Sequence, residues 1–161
     1  HDTQELQSLE STVQNWFKPL AYAVILLMEE AYPCVFYPDL FGAQYTDIKD
    51  NKEVEVVMPK VELLPTLLEA RQKFAYGEQI NYFDHPNCIA WVRKGDSNHA
   101  GCVVIISNSE AGYKDIDLGK ENAHSVYKDL TEQRDDKIKT DENGKARFIV
   151  NSRSVSVWIK I

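Results

Sequence analysis

The chain begins with a polar run, His1-Asp2-Thr3-Gln4, that holds the strongest candidates for chemistry in the sequence. An imidazole ring can hydrogen-bond a ligand, and a neighbouring carboxylate can hold hydroxyl groups or stabilise positive charge. Nothing upstream is present to fix either side chain, so we expect the chain to be a piece of a larger protein. The alternative interpretation is that His1 is a cloning remnant and that Asp2 caps a helix.

The composition predicts a globular protein. With 161 residues, of which 43% are hydrophobic, the chain can bury a substantial core. Acidic and basic residues interleave around a net charge of −7, so the sequence offers no basic stripe for nucleic acid. The longest apolar stretch, residues 20–28, is far shorter than the roughly 20 residues that a bilayer span needs. We therefore expect neither a nucleic-acid nor a membrane partner.

The cysteines and histidines follow no metal-binding or disulfide pattern. Cys34, Cys88 and Cys102 are odd in number, and each lies in an apolar, strand-like run. We interpret them as buried thiols in a reducing compartment, which favours the cytoplasm, with secretion as the alternative. The four histidines are widely scattered, so we assign neither a metal nor a cofactor to this chain.

The elements that must position these groups change in type once along the chain. The first half predicts a helix, a strand, a loop and a second helix, which is the order of an α/β repeat. The first helix should end near Glu30, because Tyr32-Pro33 follows it. Residues 34–37 form a continuous apolar run typical of a strand buried on both faces. Residues 39–54 predict a long loop, and residues 58–74 predict the second helix.

The second half predicts only strands. Asn143-Gly144 is typical of a hairpin turn with positive φ at both positions. The last strand places Val155 and Val157 on one face and Trp158 on the other. We expect the face that carries Trp158 to pack on the last helix of the first half. Together these runs predict an antiparallel Greek-key β-sandwich over residues 81–161, after a first domain over residues 1–80. The predicted strands are 88–93, 101–107, 114–118, 125–130, 146–150 and 154–161.

Several segments resemble α-amylases of glycoside hydrolase family 13, specifically the bacterial liquefying and cytoplasmic branch. Four early segments resemble the end of the catalytic barrel: HDTQ (1–4), QSLE (7–10), WFKPLAYA (16–23) and PCVFYPD (33–39). Four later segments resemble the last barrel helix and the C-terminal sandwich: ARQKFAYG (70–77), YFDH (82–85), WVRKGD (91–96) and NSRSVSVW (151–158). Their order and spacing match the family across essentially the whole chain.

The resemblance implies the last β/α units of a TIM (β/α)8 barrel, followed by the sandwich. His1-Asp2 matches the family motif at the end of the seventh barrel strand, which makes His1 the implied substrate-binding residue. Asp2 is the implied transition-state stabiliser, because a fixed carboxylate favours a sugar ring that gains positive charge. The implied reaction is endo-acting, retaining hydrolysis of α-1,4-glucosidic bonds in starch, glycogen or maltodextrin.

Two further carboxylates are needed for that reaction, a nucleophile and an acid/base about 5 Å apart. In the family they lie on earlier barrel strands, and no carboxylate of this chain matches either position. We therefore expect the chain alone to be inactive. Asp39 follows the predicted eighth strand, at the end of the barrel that could line the site, but we interpret it as an ordinary loop aspartate, with a site-lining residue as the alternative.

Three further expectations concern ligands and partners. The resemblance aligns Asn87 and Asn108 with calcium ligands between barrel and sandwich, but neutral amides bind calcium weakly, so calcium is left to the parent enzyme. We expect the sandwich to be purely structural, with its aromatic residues in the core or at the domain interface; the alternative is a glucan-binding module built on four of them, Trp91, Trp158, Tyr113 and Tyr127. The strand at 34–37 would lack barrel neighbours, so we expect a homo-oligomer through residues 1–80.

Overall fold

The computed structural model describes residues 3–30 and 32–161. Helix α1 (Lys18–Leu27) has Pro19 in its first turn, where the fixed φ of proline suits a helix start. Helix α2 (Tyr37–Phe41) is a single short segment, and helix α3 (Leu64–Lys73) again has a proline near its start. Within the described ranges, no helix is long and apolar enough to cross a membrane.

A β-hairpin separates α2 from α3. Strand β1 (Ala43–Lys49) pairs antiparallel with β2 (Lys52–Met58). Asp50 and Asn51 connect them at φ values of 51° and 61°, the backbone geometry of a two-residue type I′ turn. The prediction of a long loop over residues 39–54 is therefore wrong.

The remaining strands form two antiparallel sheets. Among the described residues, the larger sheet has the order β3-β4-β5-β10-β7-β8, and a second sheet pairs β6 with β9. Their bounds are β3 (Gln79–Tyr82), β4 (Cys88–Gly95), β5 (Ala100–Ser107), β6 (Gly112–Asp117), β7 (Val126–Asp129), β8 (Lys137–Lys139), β9 (Lys145–Val150) and β10 (Ser154–Lys160). An antiparallel β domain was predicted for this half of the chain, and that prediction is confirmed.

The six-stranded sheet is the central layer. One face packs on α1 and α3 through side chains such as Trp91, Val104 and Val157. The other face packs on the β6–β9 sheet through Trp158 and Phe148, among others. Both cores follow the alternation of side chains along each strand, so the period-two pattern of β10 correctly predicts which residues share a face.

Four sequence expectations need correction here. Residues 34–36 form no strand and Tyr37 begins α2, because a strand buried on both faces needs pairing partners and the described residues supply none. Cys34 is exposed, and only Cys88 and Cys102 are buried thiols. Trp158 faces the second sheet, whereas α1 and α3 lie on the opposite face. The Asn143-Gly144 turn has positive φ only at the glycine, and it closes no hairpin between the described strands that flank it, because β8 pairs with β7 and β9 pairs with β6.

Candidate functional site

A groove of about 470 Å³ lies where the N-terminal segment meets α1 and residues 34–39. Its lining includes Thr3 and Gln4 of the N-terminal segment together with Phe36 and Asp39. His1 and Asp2, the predicted substrate-binding and transition-state residues, lie outside the described residues, and their roles stay predictions. Two segments that the sequence analysis placed near an active site therefore line the same groove: the residues that follow His1-Asp2, and residues 34–39.

Asp39 is held in this groove by two side chains of α1. Lys18 Nζ donates to Oδ1 at 2.5 Å, and the Tyr22 hydroxyl donates to Oδ2 at 2.7 Å. Burial, followed by the hydrogen bond to Asp39, raises the pKa of Tyr22 to about 12, so the phenol stays a proton donor. With both carboxylate oxygens engaged and 6% of its surface exposed, Asp39 is a buried anchor and not an ordinary loop aspartate.

The backbone around Asp39 is fixed as well. The carbonyl of Asp39 accepts the amide N–H of Val61 at 2.7 Å, which ties α2 to the segment before α3. The Tyr22 hydroxyl also accepts the N–H of Phe36 at 3.3 Å. Residues 36–39 are therefore positioned by α1 and by the chain leading into α3.

Helix α1 is in turn fixed by side chains from other elements at its C-terminal end. The last carbonyls of a helix have no partner within it and carry partial negative charge. Trp91 Nε1 and Arg93 Nη1 both donate to the carbonyl of Leu27, at 3.2 and 3.1 Å. Arg71 Nη1 donates to the carbonyls on either side, at Leu26 (2.9 Å) and Met28 (3.4 Å).

These contacts make a continuous mechanical link from the β domain to the groove. Trp91 and Arg93 of strand β4 bond to the C-terminal end of α1, and Lys18 and Tyr22 of the same helix bond to Asp39. A second tie is reciprocal: Glu29 N–H donates to the Gln79 side chain at 2.8 Å, and Gln79 N–H donates to the Glu29 carboxylate at 3.1 Å. Sequence reasoning missed these roles, and no local pattern signals them.

The two residues aligned with calcium ligands, Asn87 and Asn108, lie side by side in the β domain. Asn87 uses its backbone carbonyl to accept the N–H of Asn108 at 3.1 Å. Asn87 also lines a cavity shared with Lys114, whose ammonium group pairs with the carboxylate of Asp84. Within residues 3–30 and 32–161, no three His, Cys, Asp or Glu side chains cluster closely enough to hold a metal ion.

The predicted platform of four aromatic residues does not exist as a surface. Trp91 and Trp158 are 0% exposed, and Tyr127 is buried with them. Trp158 Nε1 donates to the carbonyl of Ile149 at 3.1 Å, which joins the two sheets. Tyr113 alone of the four is exposed, over 54% of its surface, because it lies on the outer side of β6.

Comparison with known proteins identifies relatives over the whole chain. The chain is 51% identical over 160 residues to the cytoplasmic α-amylase of Escherichia coli strain K12, 41% identical over 162 residues to an α-amylase of Bacillus licheniformis, and 40% identical over 161 residues to a glucan 1,4-α-maltohexaosidase of Bacillus sp. strain 707. Each match covers 99% of this chain but only 32%, 30% and 29% of the relative. The chain thus spans about a third of their length.

Other comparisons add little. No family model matches the chain. The γ-cyclodextrin glycosyltransferase (γ-CGTase) structure from alkalophilic Bacillus clarkii is 20% identical with a TM-score of 0.46, covering 65% of this chain and 17% of that chain, a likeness too low to support a structural argument. The family is shown instead by matches to α-amylases at 41–51% identity that cover 99% of this chain. On this basis the chain belongs to the α-amylase family of glycoside hydrolases and corresponds to the C-terminal part of those enzymes.

Proposed function

We propose that the chain is the C-terminal part of an α-amylase, a retaining glycoside hydrolase that cleaves α-1,4-glucosidic bonds within starch, glycogen or maltodextrin. The observation that carries this proposal is the 51% identity over 160 residues with the cytoplasmic α-amylase of Escherichia coli. The same relative supports a cytoplasmic location for the whole protein. The α-glucan substrate is supported by the family that the relatives share.

In this proposal residues 1–80 complete a (β/α)8 barrel, and residues 81–161 form the C-terminal domain. The surface of the first unit supports the idea, because large apolar side chains are exposed there that a covering domain would bury. In the isolated chain the same surface favours self-association, which sedimentation at micromolar concentration would detect. The exposed side chains concerned are Leu9, Val13, Trp16, Phe17, Ile25, Tyr32, Tyr37, Phe41, Ile48 and Val57.

The residues divide into direct and positioning roles. His1 would hydrogen-bond hydroxyls of the sugar at the cleavage site, and Asp2 would stabilise the positive charge that its ring acquires in the transition state. Asp39, held by Lys18 and Tyr22, would fix the neighbouring edge of the site. The β domain would act structurally, by fixing the end of α1. The nucleophile and the acid/base would come from the other two thirds of the enzyme, so the chain alone would be inactive.

The test compares the full-length enzyme with the 161-residue chain. In the full-length enzyme Asp2→Asn should lower kcat for maltodextrin by roughly 10²–10³-fold, because a fixed charge that acts in the transition state is lost. Asp50→Asn is the matched control, since it makes the same change in a hairpin turn where asparagine also tolerates positive φ. The chain alone should release no reducing sugar. An unaffected Asp2→Asn enzyme, or sugar release by the pure chain, would contradict these assignments.

A further inference from the structure

The segment that follows His1-Asp2 is a closed surface loop. Residues 3–11 begin and end side by side, because the amide N–H of Ser11 donates to the carbonyl of Thr3 at 2.9 Å. A loop of this length whose ends meet is an Ω-loop. None of these nine described residues is buried. The loop therefore has no core of its own, and it needs contacts from other elements to keep a single conformation.

The β1–β2 hairpin supplies such contacts. The Tyr45 hydroxyl donates a hydrogen bond to the carbonyl of Glu5, and the side-chain amide of Gln7 donates to Asp47 Oδ2 at 3.4 Å. Tyr45 and Asp47 are two residues apart on β1, so they lie on the same face of the hairpin. Val56 is paired with Tyr45 in the register and is 1% exposed. One face of the hairpin thus holds the loop.

The hairpin is itself fixed at both ends. It follows α2, which contains the buried Asp39, and it leads into Val61, whose amide N–H donates to the Asp39 carbonyl at 2.7 Å. Met58, the last residue of β2, lines the same groove as Thr3. Contacts therefore run from the Asp39 anchor through the hairpin to the loop that follows Asp2.

The Tyr45 hydroxyl acts in this contact as a proton donor. Desolvation, followed by the charges of Glu5 and Asp47, raises the pKa of Tyr45. A backbone carbonyl can only accept, so the bond depends on the phenol proton. Phenylalanine at this position keeps the ring and loses the bond.

We propose that the β1–β2 hairpin positions Asp2 through the loop of residues 3–11, with Tyr45 as the positioning residue. Asp2 lies outside the described residues, and one peptide bond joins it to Thr3, so movement of the loop changes where its carboxylate can lie. The inference rests on the proposed function, which gives Asp2 its role in the transition state. Tyr45 itself touches no substrate. It affects kcat and not KM, because a charge used only in the transition state does not change ground-state binding.

The test measures maltodextrin hydrolysis by the full-length enzyme. Tyr45→Phe should lower kcat about three- to tenfold at unchanged KM, since one hydrogen bond that places the loop is lost. Tyr76→Phe is the matched control, because the Tyr76 hydroxyl also donates to a backbone carbonyl, that of Gln72 at 2.9 Å. It should leave kcat unchanged. In an Asp2→Asn enzyme, Tyr45→Phe should lower kcat no further, because misplacing a carboxylate matters only while the carboxylate is present.

A second measurement reports on the loop without relying on activity. Amide hydrogen exchange in peptides that cover residues 3–11 of the full-length enzyme should become several-fold faster in Tyr45→Phe, because the loop loses a contact that restrains it. Tyr76→Phe should leave exchange in the same peptides unchanged. Circular dichroism confirms that each variant is folded.

The outcomes separate this inference from the proposed function. Equal kcat in Tyr45→Phe and Tyr76→Phe, an equal loss with and without Asp2→Asn, or unchanged exchange in residues 3–11 overturns Tyr45 as a positioning residue. An Asp2→Asn enzyme with unchanged kcat overturns the role proposed for Asp2. Faster exchange in Tyr45→Phe then still supports the hairpin as the element that holds the loop.

Discussion

Replacing Arg93 by methionine should loosen the joint between helix α1 and the β domain. Arg93 is 5% exposed and donates Nη1 to the Leu27 carbonyl and both Nε and Nη2 to the Gly77 carbonyl, at 3.2 and 2.9 Å. Methionine keeps the aliphatic volume but offers no donor. Leu27 retains Trp91 as a partner, whereas the Gly77 carbonyl has no other donor among the described residues.

The size of the effect follows from these bonds. A buried carbonyl left without a donor costs about 1–3 kcal/mol, and hydrogen bonds to a charged donor contribute about 1.5–3 kcal/mol. The substitution also removes a buried charge, whose desolvation lowers the pKa of Arg93 and offsets part of the loss. We expect a net loss of about 2–3 kcal/mol in the free energy of unfolding. For a chain of this size that corresponds to a melting temperature lower by roughly 4–12 °C.

Urea unfolding followed by circular dichroism measures this loss. Lys94→Met is the matched control, because Lys94 is the next residue of the same strand and makes only an exposed pair with Glu78, at 2.8 Å; it should leave stability unchanged. Trp91→Phe combined with Arg93→Met should destabilise by more than the sum of the single changes, since both side chains donate to Leu27. If the Arg93→Met variant is as stable as Lys94→Met, Arg93 does not stabilise the contact between α1 and the β domain.

Two more predictions concern the fold. Burial raises the pKa values of Tyr22 and Tyr127 to about 12 from 10.0, so the folded state holds these protons more tightly; stability should be full below about pH 10 and fall towards pH 12. A double Phe variant should flatten that fall in urea titrations, and an unchanged slope would contradict the assignment. Gly77→Ala should destabilise at least twice as much as Gly42→Ala. Both have φ above +70°, but a Cβ at Gly77 meets the Gly95 carbonyl oxygen at 1.9 Å, whereas at Gly42 the nearest atom is 3.4 Å away. Equal melting temperatures would contradict this.

The β domain was predictable because the alternation of side chains within each strand indicates which residues are buried together. In β10 the alternation of Val155, Val157 and Ile159 with Ser156 and Trp158 matches burial between two cores. Residues 34–37 behave differently, because a fully buried strand depends on partners elsewhere in the chain. The β1–β2 hairpin was missed although Asp50-Asn51 is a turn signal, since its polar strands resemble a loop.

The site was only partly predictable from the sequence. Asp39 was singled out by its place after an apolar run, but its partners Lys18 and Tyr22 lie 21 and 17 residues earlier. Nothing in their local pattern distinguishes them from other helical residues, because the pairing arises only when the folded chain brings Asp39 next to α1. The bonds from Trp91 and Arg93 to the Leu27 carbonyl, which cap the C-terminal end of α1, are even harder to predict from the sequence. A tryptophan in a strand usually indicates the core, and an arginine usually indicates the surface.

The cap on α1 also has a consequence for the order of events during protein synthesis. Trp91 and Arg93 lie 64 and 66 residues after the carbonyl that they bind. At about 5–20 residues per second, the ribosome delivers them roughly 3–13 s after α1 has been made. Throughout that interval the Leu27 carbonyl lacks both of these donors, although Arg71, made earlier than either, is available to the carbonyls on either side of it. Helix α1 also packs on β10, the last strand of the chain, so a chaperone that recognises newly made chains would find part of its apolar face accessible until synthesis of this chain is nearly complete.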